Sequence, residues 1–240
     1  MSPHPDDETI ACGLLLAAAS ARGEAVTVVL ATDGSRGWFG DGPAPAPADL
    51  AALRSTEWHA ALDALGVPAR SRHELGLPDG DLAAHEAAAA AAVAALVETA
   101  APARVVLPSP DDLHADHRAL ARATLRAVGS LPTGALVPDL VAYRVYPEAG
   151  LWPAGDDRGS SSAGAVLRLA RALPGSVRHR ELALHAPGAV AAKRRAVDAY
   201  VSQHRLLGGG VQSVWGTGVE LYRMLPGRDP RAGRSALSRR

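Results

Sequence analysis

The stretch His4-Pro5-Asp6-Asp7-Glu8 stands directly before an apolar, alanine-rich segment of the chain. We predict a helix over Glu8–Ala21, which Arg22-Gly23 would end. Because residues three apart lie on one face of a helical turn, the side chains of His4 and Asp7 can converge on one point. The next segment, Ala25–Ala31, predicts a buried strand. A polar cluster, a helix and a strand in this order are typical of an α/β domain.

Segments rich in β-forming residues continue to alternate with alanine-rich ones along the chain. Further strands are predicted at Arg104–Leu107, Asp139–Tyr146 and Ser176–Leu184. Further helices are predicted at residues 49–65, capped by Asp49, and at 84–100, 115–128 and 189–203. The intervening residues 32–48, 75–82 and 150–164 are predicted to be loops. Since helices between strands act as right-handed crossovers, we expect a Rossmann-like α/β fold, a mostly parallel sheet flanked by helices.

Length and composition limit the organisation of the chain and its partners. Of 240 residues, 48% are apolar, and we expect a single domain over residues 1–225 with a basic, disordered tail over 226–240. With 25 basic and 25 acidic side chains, no net charge favours nucleic acid or an anionic membrane. The single cysteine, Cys12, excludes an internal disulfide and a zinc site built from cysteines.

The same composition predicts where the protein works. No apolar run is long enough to span a bilayer, and no signal peptide precedes the first motif, so we expect a cytoplasmic protein. Abundant alanine and arginine with little lysine indicate a bacterial source of high GC content. Nothing in the sequence determines the oligomeric state, and a homo-oligomer is compatible with it.

A second polar cluster, His114-Ala115-Asp116-His117, follows the predicted strand Arg104–Leu107. In a parallel sheet, loops after neighbouring strands meet at the carboxyl edge, so this cluster can approach the first one. Together the two clusters would supply two imidazoles and a carboxylate and leave a coordination position open, as catalytic zinc sites do. Asp6 would stand beside such a metal, in a position suited to a general base. Each cluster taken alone can equally be a helix cap.

Taken together, the motifs resemble those of a known family. Pro3-His4-Pro5-Asp6-Asp7-Glu8, with His114-x-Asp116-His117 later in the chain, is similar to the PIG-L/LmbE-like N-acetylglucosaminyl deacetylases. Weaker matches extend the likeness to about residue 203: Thr32-Asp33-Gly34, Arg54-x-x-Glu57, Leu75-Gly76-Leu77-Pro78-Asp79-Gly80, Lys193 and Ser202-Gln203.

The resemblance implies roles for particular residues. His4, Asp7 and His117 would bind one Zn²⁺ per chain, with Fe²⁺ as the alternative metal. Asp6 would be the general base, and His114 would be the electrophilic or proton-donating histidine. Arg54 and Asp79 would contact substrate hydroxyl or phosphate groups. The alternative for these last two is structural: an arginine paired with Glu57 on a helix surface, and an aspartate in a turn.

The function implied by the resemblance is zinc-dependent removal of an N-acetyl group from a small molecule that contains an amino sugar. Two alternatives remain open: an amidase that cleaves a larger amide conjugate, and a non-catalytic metal- or sugar-binding protein that retains the motif. A nucleotide-binding module is excluded, because Gly208-Gly209-Gly210 follows a predicted helix and lacks the Gly-x-Gly-x-x-Gly spacing.

One feature departs from the family pattern. Family members carry a short apolar strand before the His-Pro-Asp-Asp motif, whereas only Met1, Ser2 and Pro3 precede His4 here. We therefore expect the usual first strand to be missing or truncated. Either the true start lies upstream, or the sheet closes around this short segment, since exposed backbone groups of a central strand are costly when buried.

Overall fold

The computed structural model describes residues 1–145, 181–207 and 219–225. Part of what the sequence predicts lies outside these residues. It comprises the predicted loop 150–164, the first part of the predicted strand Ser176–Leu184, and the basic tail 226–240.

Strands and helices alternate through the first part of the chain, and the α/β prediction is confirmed. The strands are β1 (Val28–Thr32), β2 (Arg72–Leu77), β3 (Arg104–Pro108), β4 (Asp139–Tyr143), β5 (Glu181–His185) and β6 (Val219–Met224). The helices are α1 (Asp7–Ala21), α2 (Pro47–Ala64), α3 (Glu86–Ala100), α4 (Ala115–Gly129), α5 (Val190–Asp198) and the single turn α6 (His204–Leu207).

The strands form two sheets that contain both parallel and antiparallel pairs. In one sheet β1 pairs with β2 in parallel. In the other the order is β3-β4-β6-β5. There β3 and β4 are parallel, as crossover helices require, and β6 is antiparallel to both of its neighbours. The antiparallel strand β6 was not predicted from the sequence.

Residues 1–3 lie between the two sheets. Ser2 forms an isolated parallel bridge with Leu30 of β1, and its backbone N–H donates to the carbonyl of Val29 at 2.8 Å. On the other side, the amino group of Met1 donates to the carbonyl of Val106 in β3 at 2.8 Å. This short segment thus occupies the position of a strand between β1 and β3, and it delivers His4 to the carboxyl edge of the sheets.

Three predicted elements differ in detail. Helix α2 begins at Pro47 and not after Asp49, because proline suits the first helical position, where no N–H partner is needed. Strand β2 covers part of the predicted loop 75–82. Its residues are all at least partly exposed, so it lacks the apolar run of a buried strand. The predicted helix 189–203 ends at Asp198 and gives way to a 3₁₀ turn, Val201–Gln203.

Helix α1 packs in the middle of the protein, where a buried ion pair holds it. Lys193 Nζ donates to the carbonyl of Ile10 and to Glu220 Oε1, both at 2.7 Å. The same Glu220 carboxylate accepts the backbone N–H groups of Leu14 at 2.8 Å and Leu15 at 3.0 Å. The charges of Lys193 and Glu220 can be buried because they are paired with each other and hydrogen-bonded. Their contacts connect α5 and β6 to α1.

Candidate metal-binding site

The two motifs meet at one carboxylate. Asp7, the first residue of α1, places Oδ2 3.2 Å from Nδ1 of His4 and 3.2 Å from Nε2 of His117. His117 belongs to the first turn of α4, and its side chain is completely buried. The structure thus brings together His4, Asp7 and His117, which come from two helix starts far apart in the sequence.

At this junction, formed by His4, Asp7 and His117, neighbouring charges raise the pKa of His117 and lower that of Asp7. Burial favours the neutral imidazole of His117, but the carboxylates of Asp7 and Asp112 outweigh it and raise the pKa of His117 to about 9. For Asp7, burial favours the neutral acid, yet the adjacent His117 and His4 lower its pKa.

His114 lies beside the two other histidines. Its ring centroid is 4.7 Å from that of His4 and 5.1 Å from that of His117, and ligand nitrogens of the three rings lie within 4.8 Å of one another. As the N-cap of α4, His114 accepts the N–H of Asp116 at Nδ1, at 3.2 Å. Burial, together with the nearby charges of His4 and His117, lowers the pKa of His114, so the neutral ring is favoured.

Asp6 adopts an unusual backbone conformation at the start of α1. Its φ is 117°, a region that side-chain-bearing residues rarely occupy and that is often associated with functional sites. Arg54 holds it there: Nη2 lies 3.2 Å from Asp6 Oδ2 and donates to the carbonyl of Pro5 at 2.5 Å. Burial raises the pKa of Asp6 to about 8 against the opposing charge of Arg54. A carboxyl group with a pKa in this range suits proton transfer near neutral pH.

Arg54 and Asp79, the remaining residues predicted for the site, also lie close to it: Arg54 contacts Asp6, and Asp79 contacts His4. Arg54 is buried and does not pair with Glu57, which instead accepts both the N–H and the hydroxyl of Ser202. Asp79 lies in the turn after β2, with Oδ1 3.3 Å from Nε2 of His4. Its other oxygen accepts the N–H of Arg36 at 3.0 Å.

Two carboxylates for which the sequence predicts no role contact His4 and His117. Asp116 Oδ2 lies 3.2 Å from Nε2 of His4 and accepts the N–H of Gly80 at 2.8 Å. Asp112 Oδ2 lies 3.3 Å from Nδ1 of His117. Asp116 falls inside the second motif and could have been singled out there, whereas Asp112 stands in a turn-forming run that carries no further signal.

The donor set fits a divalent transition metal. Two imidazoles and a carboxylate converge, and this composition is that of a catalytic zinc site with a free coordination position. Ligand atoms of His4, Asp79 and Asp116 also lie within 4.8 Å of one another. On His4, Nε2 faces the carboxylates of Asp79 and Asp116, whereas Nδ1 faces that of Asp7.

Residues 1–128 match the family described as PIG-L: GlcNAc-PI de-N-acetylase. The chain belongs to the PIG-L family. The matched region contains both motifs and every proposed ligand at the junction. A comparison with curated protein sequences gave no match.

Solved structures with the same fold differ in activity. The conserved protein TT1542 from Thermus thermophilus is 24% identical, with a TM-score of 0.63 over 94% of this chain and 92% of that one. The zinc-inhibited form of teicoplanin deacetylase Orf2 is 20% identical, with a TM-score of 0.65 over 95% and 97%. GalB, a 4-carboxy-2-hydroxymuconate hydratase from Pseudomonas putida, is 18% identical, with a TM-score of 0.61 over 96% and 95%. Since deacetylases and a hydratase share the fold, the reaction must be argued from the site.

Among the helices of residues 1–145, 181–207 and 219–225, none combines the length and the hydropathy needed to cross a membrane.

Proposed function

We propose that this protein is a metal-dependent N-deacetylase that removes an acetyl group from an amino-sugar-containing small molecule. The observation that carries the proposal is the convergence of His4 and His117 on one oxygen of Asp7. Membership of the PIG-L family supports the reaction class. A single domain over residues 1–225, working in the bacterial cytoplasm, belongs to the same proposal and rests on composition.

His4, Asp7 and His117 are the proposed ligands of one Zn²⁺ per chain, with Fe²⁺ as the alternative metal. A bound zinc ion would supply Lewis acidity, which activates water at neutral pH and polarises a carbonyl. The ligands come from two rigid helix starts, so the site is held by packed elements and not by a long loop.

Asp6 is the proposed general base. It is adjacent in sequence to the ligand Asp7, and the guanidinium of Arg54 holds its carboxylate at 3.2 Å. In the proposed reaction Asp6 accepts a proton from the attacking water. The water oxygen bonds to the acyl carbon, and the carbon–nitrogen bond breaks as the departing nitrogen takes up a proton returned by Asp6 or donated by His114. The products are a free amine and a carboxylic acid, which ionises at neutral pH.

His114 is the proposed electrophilic histidine. Because its Nδ1 accepts the N–H of Asp116, the neutral ring carries its proton on Nε2 and can donate it. The lowered pKa of His114 favours this neutral form, so it would act as a hydrogen-bond donor to the developing oxyanion. Such donors contribute about 3 kcal/mol to transition-state stabilisation.

Arg54 and Asp79 are the proposed substrate contacts. Both are buried beside the junction, Arg54 next to Asp6 and Asp79 next to His4. Buried charged groups of this kind recognise hydroxyl or phosphate groups through charge-assisted hydrogen bonds. A sugar bound there would bring its N-acetyl group close to Asp6 and His114.

A metal-loading and acetate-release assay tests the proposal. The protein is stripped with a chelator, reloaded with Zn²⁺ or Fe²⁺, and incubated with a panel of N-acetylated amino sugars and larger N-acyl conjugates. We expect about one metal per chain, together with metal-dependent release of acetate and free amine. Cleavage of the larger conjugates alone would indicate the amidase alternative. Metal and sugar binding without turnover would indicate the non-catalytic one, and failure to bind metal would overturn the proposal.

A further inference from the structure

Both histidines proposed as ligands have a carboxylate on the ring nitrogen that points away from Asp7. For His4 the partner is Asp116, 3.2 Å from Nε2, with Asp79 at 3.3 Å. For His117 the partner is Asp112, 3.3 Å from Nδ1. The arrangement is therefore the same on both sides of the junction: one nitrogen toward Asp7 and the other toward an acidic side chain.

Asp112 is the most buried of these carboxylates, and it contacts both His114 and His117. Its side chain is completely buried. Oδ1 accepts the backbone N–H of His114 at 2.9 Å, while Oδ2 faces the ring of His117. The backbone N–H of Asp112 donates to the carbonyl of Ser109 at 3.1 Å, which fixes the turn that carries it.

The physical consequence concerns the tautomer of His117. A carboxylate beside Nδ1 favours a proton on that nitrogen, which leaves the lone pair of Nε2 free to bind a metal. The same contact orients the ring and makes it a more basic ligand. Without the carboxylate, the alternative tautomer would place a proton on the nitrogen that faces Asp7.

We propose that Asp112 is a positioning residue for metal binding, which holds the imidazole of His117 in its ligand tautomer and orientation. The inference rests on the proposed function, because it takes His117 to be a metal ligand. Asp112 itself touches neither metal nor substrate in this scheme.

The chain contains a matched control for Asp112 in the preceding residue. The side chain of Asp111 is half exposed. It pairs with Arg144 at 2.7 Å and with Arg223 at 2.9 Å. Replacement of either aspartate by asparagine removes one negative charge from the same turn at nearly constant volume. Only the change at residue 112 removes a partner of His117.

The test measures zinc affinity by competition with a chromophoric chelator for wild type, Asp112→Asn and Asp111→Asn. We expect the dissociation constant of Asp112→Asn to rise by about 10- to 100-fold, the effect typical of losing such a partner. That of Asp111→Asn should stay within about 3-fold of wild type, since its charge lies outside the ligand set. Equal affinities for all three proteins would overturn the inference while leaving the proposed function intact.

A second measurement does not depend on whether Asp112→Asn folds. Long-range proton–nitrogen NMR spectra of the zinc-loaded wild type identify which ring nitrogen of His117 carries a proton. A protonated Nδ1 is expected, and metal on Nδ1 would overturn the inference. A wild-type protein that binds neither zinc nor ferrous iron would refute the proposed function itself, so the two failures are distinguishable.

Discussion

The guanidinium of Arg54 lies 3.2 Å from the carboxylate of Asp6 and also donates to the carbonyl of Pro5. One side chain from α2 thereby holds both the backbone before Asp6 and the side chain of Asp6 itself. Because Asp6 has a φ of 117°, a strained value for an aspartate, this contact stabilises a conformation that the local sequence disfavours.

Replacing Arg54 by methionine should destabilise the protein by about 3 kcal/mol, because the buried carbonyl groups of Pro5 and Gly34 lose the guanidinium that donates to them. Chemical denaturation of wild type and variant measures the difference. Arg122→Met is the control: Arg122 is half exposed and pairs with Glu86 at 2.8 Å, and its loss should cost no more than about 1 kcal/mol. Equal destabilisation by the two substitutions would contradict the role given to Arg54.

Asp6→Asn should separate metal binding from proton transfer. Asparagine keeps the shape of Asp6 but cannot accept a proton, so we expect turnover to fall by about 10²- to 10⁴-fold with metal content unchanged. Elemental analysis and the acetate assay measure the two quantities. Full activity in this variant would remove Asp6 as the base.

His117→Ala should have the complementary effect on the same two quantities. Loss of one of three protein ligands leaves too few donors for a stable site, so we expect the purified variant to carry little metal. The comparison with Asp6→Asn controls for general damage at the site. Unchanged metal stoichiometry in His117→Ala would refute the ligand assignment.

Gly13→Ala should destabilise the protein although glycine is a poor residue for a helix interior. A Cβ at position 13 would lie 2.9 Å from Cγ of Lys193, whose side chain is buried and tied to Glu220. We expect a loss of about 1–3 kcal/mol from overpacking. At Gly129, the last residue of α4, a Cβ meets nothing within 4 Å, and alanine should be neutral or stabilise by up to about 1 kcal/mol. The melting temperature should therefore fall for Gly13→Ala and stay equal or rise for Gly129→Ala, and a stabilised Gly13→Ala would show that Lys193 can move aside.

Cys12 should be unreactive toward thiol reagents in the native protein. Burial, with the nearby charge of Glu220, raises the pKa of Cys12, and a raised pKa keeps the thiol protonated and poorly nucleophilic. We expect slow labelling under native conditions and one equivalent of label after unfolding. Rapid native labelling would mean that α1 opens easily, in disagreement with the buried contacts that hold it.

Prediction from the sequence succeeded where the signal is local. The helix predicted over Glu8–Ala21 is α1, and the helix predicted over residues 115–128 is α4, because helix-forming residues and end signals lie within each segment. Strand β2 was predicted in part as a loop, since it is a partly exposed strand whose pairing with β1 depends on tertiary context. Strand β6 was not predicted, because antiparallel pairing with both β4 and β5 depends on residues far away along the chain.

By itself, the sequence determined which side chains could bind a metal: an imidazole and a carboxylate three residues apart at the start of one helix, and two imidazoles three apart at the start of another. Only the tertiary structure decided that these groups meet at Asp7, and that Asp112 and Asp116 face the far nitrogens of the two rings. The physical reason is that ligand capacity belongs to the residue type, whereas the role of a carboxylate depends on the neighbour that folding places within hydrogen-bond distance.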